Sequence, residues 1–336
     1  LLMMDLAEKK GAKIFFNEKC VDINFNKNQA IFENTNTKKT KKYVSDFIIG
    51  ADGAFSEVRK KMVEKLQHDY SYDEIEHDYK ELLIPAGENN EYLMDKNSLH
   101  IWPRGNFMLM ALANLDGSFT CTLFAPKKGK NSFETLKDQK TVEKYFTENF
   151  SDFSQMVPNL YEQWIKNPTS NLGIIKTYPW HNKNNTILVG DSAHATVPFY
   201  GQGMNCGFED CRILDELLEK YENIEECFNK YSEIRKPNGD GVQALSMHNF
   251  IVMRDKTADP KFLLQKKIEN EFSRKFPELW HTLYSMVSFT NIEYSKAIEI
   301  GEKQEKIMKL IMQENNIHLN WKSEETMNKI KSLINW

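Results

Sequence analysis

The sequence predicts an α/β fold interrupted by a β-sheet insertion and completed by a helical region, and three observations carry that expectation. Two short apolar runs, Phe47-Ile48-Ile49 and Ile187-Leu188-Val189, each end in a glycine with an aspartate close behind, Asp52 and Asp191. Buried strands of a parallel sheet have this form, and ligands gather beyond their carboxyl ends. Between the two runs, residues 99–124 alternate around turn signals, which marks a sheet. After Ile224 the pattern is helical almost throughout. The chain therefore divides into an α/β domain over 1–67 and 178–245, a mixed-sheet domain over 68–177 and a helical carboxyl-terminal region over 246–336.

In chain order, residues 1–10 read as an amphipathic helix with no capping residue before Leu1, ended by Gly11. Residues 13–25 alternate enough for a strand, with a bulge or break expected near Glu18-Lys19. Residues 29–33 and 42–45 read as hairpin strands around a turn rich in Asn, Thr and Lys. Phe47-Ile48-Ile49 is expected as a buried strand, and Ser56 as the cap of a basic helix over 57–66. In the insertion, Leu99 and Ile101 precede the turn Pro103-Arg104-Gly105-Asn106, and two strands flank the hairpin signal Asp116-Gly117. Period two puts Met108 and Met110 on one face. If the hairpin loop holds an odd number of residues, Phe124 joins them, and with Leu99 they make an apolar wall that suits a planar ligand, or equally an ordinary core face. The helical region is expected to break at Pro237-Asn238-Gly239 and at Asp259-Pro260.

Composition removes several function classes. An apolar fraction of 40% with 12% aromatics supports a real core rather than disorder. A net charge of −4 without a basic block argues against nucleic acid as a partner. The five cysteines, Cys20, Cys121, Cys206, Cys211 and Cys227, are odd in number and contain no CxxC pair, which speaks against a disulfide framework and a zinc site. A reducing, cytoplasmic setting fits. No apolar run has the roughly 18 residues of a membrane span, and no signal peptide pattern opens the sequence. None of the 15 glycines belongs to a G-x-G-x-x-G following a strand. With the uncapped first helix, this leads to the expectation of a dinucleotide-binding segment upstream of Leu1.

The most informative stretch is residues 186–210, TILVGDSAHATVPFYGQGMNCGFED. Asp191 stands at a strand end, where a carboxylate can accept hydroxyl hydrogen bonds. Pro198 keeps the crossover out of a helix, and Gly201-Gln202-Gly203 permits a tight turn. Met204, Phe208, Cys211, Leu214, Leu217, Leu218 and Tyr221 then recur at helical spacing. A helix that starts at such a turn presents free N–H groups and about half a positive charge. A carboxylate for sugar hydroxyls beside an anion-stabilising helix start suits a flavin. Read from these residues alone, Asp191 fits a plain helix cap as well. His194 is expected to be structural rather than a catalytic base.

The run GDSAHATVPFYGQGMNCGFEDC resembles the second flavin motif of the class A flavin-dependent aromatic hydroxylases. FIIGADGAFSEVRKKM resembles their Asp-Gly motif, and LHIWPRGNFMLMALAN with FTCTLFAP resembles the substrate-domain sheet of the kynurenine-hydroxylating branch. The likeness runs from Leu1 to about residue 290. It implies a FAD-binding Rossmann-like domain, incomplete here, with the β-sheet substrate domain inserted. It also implies an enzyme in which NADPH reduces FAD, and O2 forms a flavin C4a-hydroperoxide that hydroxylates L-kynurenine at ring position 3. By the same likeness, Asp191 binds the ribose and ribityl side of FAD, Met204 and Asn205 contact the isoalloxazine edge, and Cys20 makes a backbone contact near the adenine. Asp52 and Gly53 belong to a motif linked with both FAD and the nicotinamide cofactor, or form a structural turn. Asn249 and Tyr284 would hold the amino-acid carboxylate of L-kynurenine, with Pro198, Phe199 and Tyr200 over the ring and Met253 behind them. No catalytic side chain and no metal are implied. Two alternatives stay open: a class A hydroxylase of a phenolic acid, and a chain too incomplete to retain FAD or act alone.

Overall fold

The computed structural model describes residues 2–183 and 185–334. Leu1, at the head of the predicted first helix, and Trp336, at the end of the helical region, lie outside them. The chain forms two compact units. One comprises residues 1–72, 175–196 and 203–240, and the other residues 73–174, 197–202 and 241–336.

The first unit opens with α1 (Leu2–Lys9), followed by an antiparallel sheet of β1 (Glu18–Asn24), β2 (Gln29–Asn34) and β3 (Thr40–Val44) in that order. The strand expected from residue 13 begins only at Glu18. Asn17 has φ 60°, which breaks an extended run, and Phe15 and Phe16 are exposed, so nothing holds them in a ladder. The bulge lies between Cys20 and Asp22. β4 (Ile48–Gly50) comes next, then α2 (Glu57–Leu66), whose first turn is closed by the Ser56 hydroxyl accepting from Arg59 N at 2.9 Å. The expectation of a fully buried strand at 47–49 is corrected: among the described residues β4 is an edge strand, and Ile49 is 46% exposed.

The sheet of the second unit has the order β6 (His100–Pro103), β7 (Met108–Ala113), β8 (Phe119–Pro126), β5 (Asp69–Ile84) and β9 (Thr169–Tyr178). Met108 pairs directly with Phe124 and Ile101 with Met110, so these four share a face, as period two requires. Leu99, expected on that face, stands before the strand begins and is exposed; Ile101 takes its place. The opposite face (Leu109, Ala111, Cys121, Leu123) packs on α3 (Gln139–Asn149), α4 (Ser151–Met156) and α5 (Leu160–Lys166) through Phe146, Phe153 and Trp164. Lys80 is buried beside this core. Its ammonium donates to the carbonyls of Trp164 (2.9 Å) and Asn167 (2.6 Å) at the end of α5, where the negative end of a helix favours a cation.

The chain returns to the first unit through β10 (His181–Asn182) and β11 (Thr186–Leu188), which runs parallel to β4. Then follow α6 (Asp191–His194), α7 (Gly203–Lys220) and α8 (Ile224–Ile251), which continues as a π-helical turn at Val252–Lys256. The break expected at Pro237 does not occur: α8 runs through it for 28 residues. Pro237 and Glu233 lie on the exposed side, where water can take the Glu233 carbonyl that the proline leaves without a donor, and the Asn238 side chain donates to Ile234 O at 3.1 Å. The break at Asp259 is real, since its carboxylate caps α9 (Pro260–Lys275). α10 (Leu283–Phe289), α11 (Tyr294–Ile311), α12 (Ile317–Asn320) and α13 (Glu324–Leu333) complete the helical region, four of whose helices and intervening turns close a core around Trp280, Phe272 and Met308. No helix among the described residues is long and apolar enough to cross a membrane.

Gly239 explains why α8 carries a glycine in its interior. A Cβ there would meet the Trp180 ring at 2.8 Å and His194 at 3.1 Å. Gly239→Ala should therefore destabilise the protein by about 1–3 kcal/mol, as overpacking does, although the same change at an open helical site stabilises by about 1 kcal/mol. Denaturant melts check this, and unchanged or increased stability would show that Trp180 is free to yield.

Candidate functional site

The site in the first unit is a turn that is held on several sides. β11 delivers Val189 into Gly190, which has φ 64° and ψ −140°, a conformation that suits glycine. A Cβ on Gly190 would stand 3.7 Å from the Cα of Gly207, so the turn lies close on α7 through two glycines. The buried Ser192 hydroxyl donates to Gly50 O (2.5 Å) and accepts from Val189 N (3.1 Å), which joins the turn to the end of β4. Asp191 heads α6, and its side chain is exposed. Met204 and Asn205, in the first turn of α7, are exposed too. An outward-facing carboxylate and the positive end of an 18-residue helix therefore belong to one unit.

Behind the turn lies a buried charge cluster that sequence reading missed. The Asp210 carboxylate, fully buried, accepts from Gly190 N (2.9 Å) and from Arg235 Nε (2.6 Å), and lies 2.6 Å from His194 Nε2. Arg235 also reaches Glu209 at 2.9 Å and the Cys206 carbonyl at 3.4 Å. Burial alone would raise the pKa of Asp210, but His194 and Arg235 outweigh it and hold the carboxyl below the usual range. His194 thus has a structural partner, with Trp180 5.0 Å from its ring. The ligand atoms of His194, Cys206 and Asp210 lie within 4.8 Å of one another, but the guanidinium of Arg235 already supplies the cation there. A signal did exist in the sequence: Asp210 and Arg235 interrupt the apolar stripes Cys206-Leu214-Leu217 and Phe228-Tyr231 at helical spacing.

Asp52 is occupied as a cap. Its carboxylate accepts from the Ser56 hydroxyl (2.5 Å), Glu57 N (2.8 Å) and Val58 N (3.2 Å), while Gly53 takes φ 78°. The buried Arg59 donates to Ala54 O (2.6 Å) and Ser192 O (2.7 Å), linking this motif to the Gly190 turn. Cys20 lines a cleft of about 110 Å³ with Ile49, Gly50, Ala51 and Asp52, so the structure brings Cys20 and the Asp-Gly motif together. Burial pushes the Cys20 thiol up to about 11, with Asp52 and Glu57 adding to the shift.

All five thiols are free, and burial raises each of them, Cys121 and Cys206 to about 12. At pH 8 the thiolate fraction in those two is therefore negligible. Brief alkylation should label Cys211, the exposed one, and spare Cys121 and Cys206. Mass spectrometry of the labelled protein checks this.

In the second unit, the short helical turn Pro198–Tyr200 presents Pro198 to solvent and buries Phe199. The Phe199 ring stacks on Phe250 (4.4 Å, 28°) and lies 4.7 Å from Phe124, so side chains pack on the apolar sheet face at Phe124, as in the core-face alternative. Met253 joins the same cluster. The half-buried Asn249 donates through Nδ2 to Phe199 O at 2.7 Å, and the half-exposed Tyr284 stacks on Tyr200 (5.8 Å, 23°). Asn249 and Tyr284 are thus gathered about neighbouring residues of one turn. The Tyr294 hydroxyl adds a third tie, to Gln202 Oε1 at 3.2 Å. Neither Tyr294 nor Gln202 was singled out from the sequence.

Comparisons with known proteins give the family. Residues 1–246 match the family model described as FAD binding domain. The kynurenine 3-monooxygenase of Flavobacterium psychrophilum is 47% identical over 99% of this chain and 75% of its own length. That of Dictyostelium discoideum is 39% identical over 91% and 69%. Among solved structures, a tetrameric 2-methyl-3-hydroxypyridine-5-carboxylic acid oxygenase shares the fold with a TM-score of 0.60 at 19% identity, covering 77% of this chain and 67% of that one.

Proposed function

The chain belongs to the FAD-binding-domain family and, within it, to the kynurenine 3-monooxygenases, and from this premise we infer the reaction L-kynurenine + NADPH + H⁺ + O2 → 3-hydroxykynurenine + NADP⁺ + H2O. The observation that carries this reading is the outward Asp191 carboxylate on a glycine turn packed against the start of α7. These residues fit FAD. Asp191 offers an acceptor for ribityl or ribose hydroxyls, the helix start at Met204 and Asn205 favours negative charge on the pyrimidine edge, and the Cys20 cleft offers a place by the adenine. FAD supplies the redox chemistry and the activation of oxygen when bound; the protein binds, orients and keeps water away.

For the substrate, the reading assigns Asn249 and Tyr284 to the amino-acid carboxylate, with Pro198 and Phe199 against the ring. Amide N–H and phenol O–H are apt donors to an anion, and their attachment to one turn supports a joint role. The reaction belongs in the cytoplasm on this reading, supported by the free thiols. NADPH oxidation with L-kynurenine, and with salicylate as the competing phenolic acid, tests the assignment. Product chromatography should show 3-hydroxykynurenine, and stimulation by salicylate alone would overturn the kynurenine reading.

A further inference from the structure

We propose that the buried Asp210–Arg235–His194 cluster is a positioning device for the flavin site, locking the Gly190–Asp191 turn and the start of α7 into one rigid piece. The inference rests on the FAD reading and adds to it residues that touch no cofactor. Asp210 gathers three donors from three places in the chain. The backbone N–H of Gly190 belongs to the turn, His194 closes α6, and Arg235 comes from α8. Both ends of the proposed flavin grip thereby hang on one carboxylate. Gly190 immediately precedes Asp191, and the guanidinium that holds Asp210 also lies against the carbonyl of Cys206, one residue past Asn205.

The surroundings leave little room for slack. Gly190 and Gly207 bring the turn close to α7, and Gly239 brings α8 against Trp180 and His194 with no space for a Cβ. An ion pair this buried is weak evidence of stabilisation, because desolvation offsets most of the attraction. Fixing one geometry is the best-attested use of such a pair. A hydroxyl acceptor and a helix dipole must keep their mutual distance to grip one rigid ligand, and an anchor shared by both does that.

The test uses Asp210→Asn, with Glu216→Gln as control. Glu216 pairs with Arg212 on the exposed face of the same helix. Hydrogen exchange in the ligand-free protein should speed up at least ten-fold in peptides covering 189–195 and 203–207, with peptides from β7 and β8 unchanged. The FAD dissociation constant should rise at least five-fold, while the KM for L-kynurenine at saturating FAD stays within two-fold. The control should move none of these. If Asp210→Asn does not fold, Arg235→Lys keeps the charge but loses the fork, and should give the same local pattern at smaller amplitude. Unchanged exchange overturns the proposal. Faster exchange with FAD affinity unchanged overturns it too, since the cluster would then support the fold alone. A parent protein that takes up no FAD at any concentration would sink the cofactor reading itself, and this proposal with it.

Discussion

Replacing Asp191 with alanine should weaken FAD binding by ten- to a hundred-fold and leave the melting of the ligand-free protein almost unchanged. The two halves of this expectation have different physical sources. Hydrogen bonds to a charged acceptor contribute about 1.5–3 kcal/mol when they form out of bulk water, and each 1.4 kcal/mol is about ten-fold in affinity. An exposed side chain outside the buried network has little to lose in the ligand-free fold, where surface changes stay within about 0.5 kcal/mol. The turn is held instead by Ser192, Gly190 and Asp210, all of which the variant keeps. Asp191→Asn should fall between the two, since an amide oxygen still accepts but without charge. Fluorescence titration of FAD, paired with thermal melts, separates the effects. An Asp191→Ala protein that binds FAD like its parent would remove the carboxylate from the site.

Much of this architecture was legible because it repeats locally. The alternation of Met108 and Met110 placed both on one face, which the pairing of Met108 with Phe124 extends, and the spacing after Gly203 fixed the start of α7. The Ser56 cap and the Asp259 break were readable from single residues with one structural habit. What was hidden depends on contacts distant in sequence. Pro237 breaks helices on average, yet here it faces water, and no pattern in the chain reports which side of α8 is wet. Leu99 has the parity of the wall but stands outside the strand. Ile49 has the look of a buried strand residue, but burial depends on neighbouring strands, and among the described residues β4 has one partner, β11. Asp52 carries a motif that suggests a ligand, yet its carboxylate accepts from the first turn of α2. The salient missed group, Asp210 with Arg235, was visible only as a charge within an apolar stripe.

Asn249 offers the second large effect, because on the proposed substrate reading two roles meet in one amide. Its Nδ2 already donates to the Phe199 carbonyl at 2.7 Å, and the substrate reading asks the same group to face a carboxylate. An amide nitrogen has two hydrogens, and the second faces the Met253 sulfur at 3.4 Å, a weak acceptor that a carboxylate can displace. Asn249→Ala removes both: the turn at Pro198–Tyr200 loses its tie, and the substrate loses a donor. KM for L-kynurenine should rise about ten-fold and kcat should fall, because the turn over the ring shifts. Asn249→Asp should do worse, about a hundred-fold in kcat/KM, since a carboxylate would confront both the Phe199 carbonyl and the substrate anion. Tyr284→Phe is the discriminating companion. It keeps the ring stacked on Tyr200 and deletes only the hydroxyl, so KM should rise several-fold with kcat unchanged, the signature of lost uniform binding. Should Asn249→Ala lower kcat while leaving KM at the parent value, the amide would serve the turn alone, and the carboxylate clamp would have to be sought on other residues.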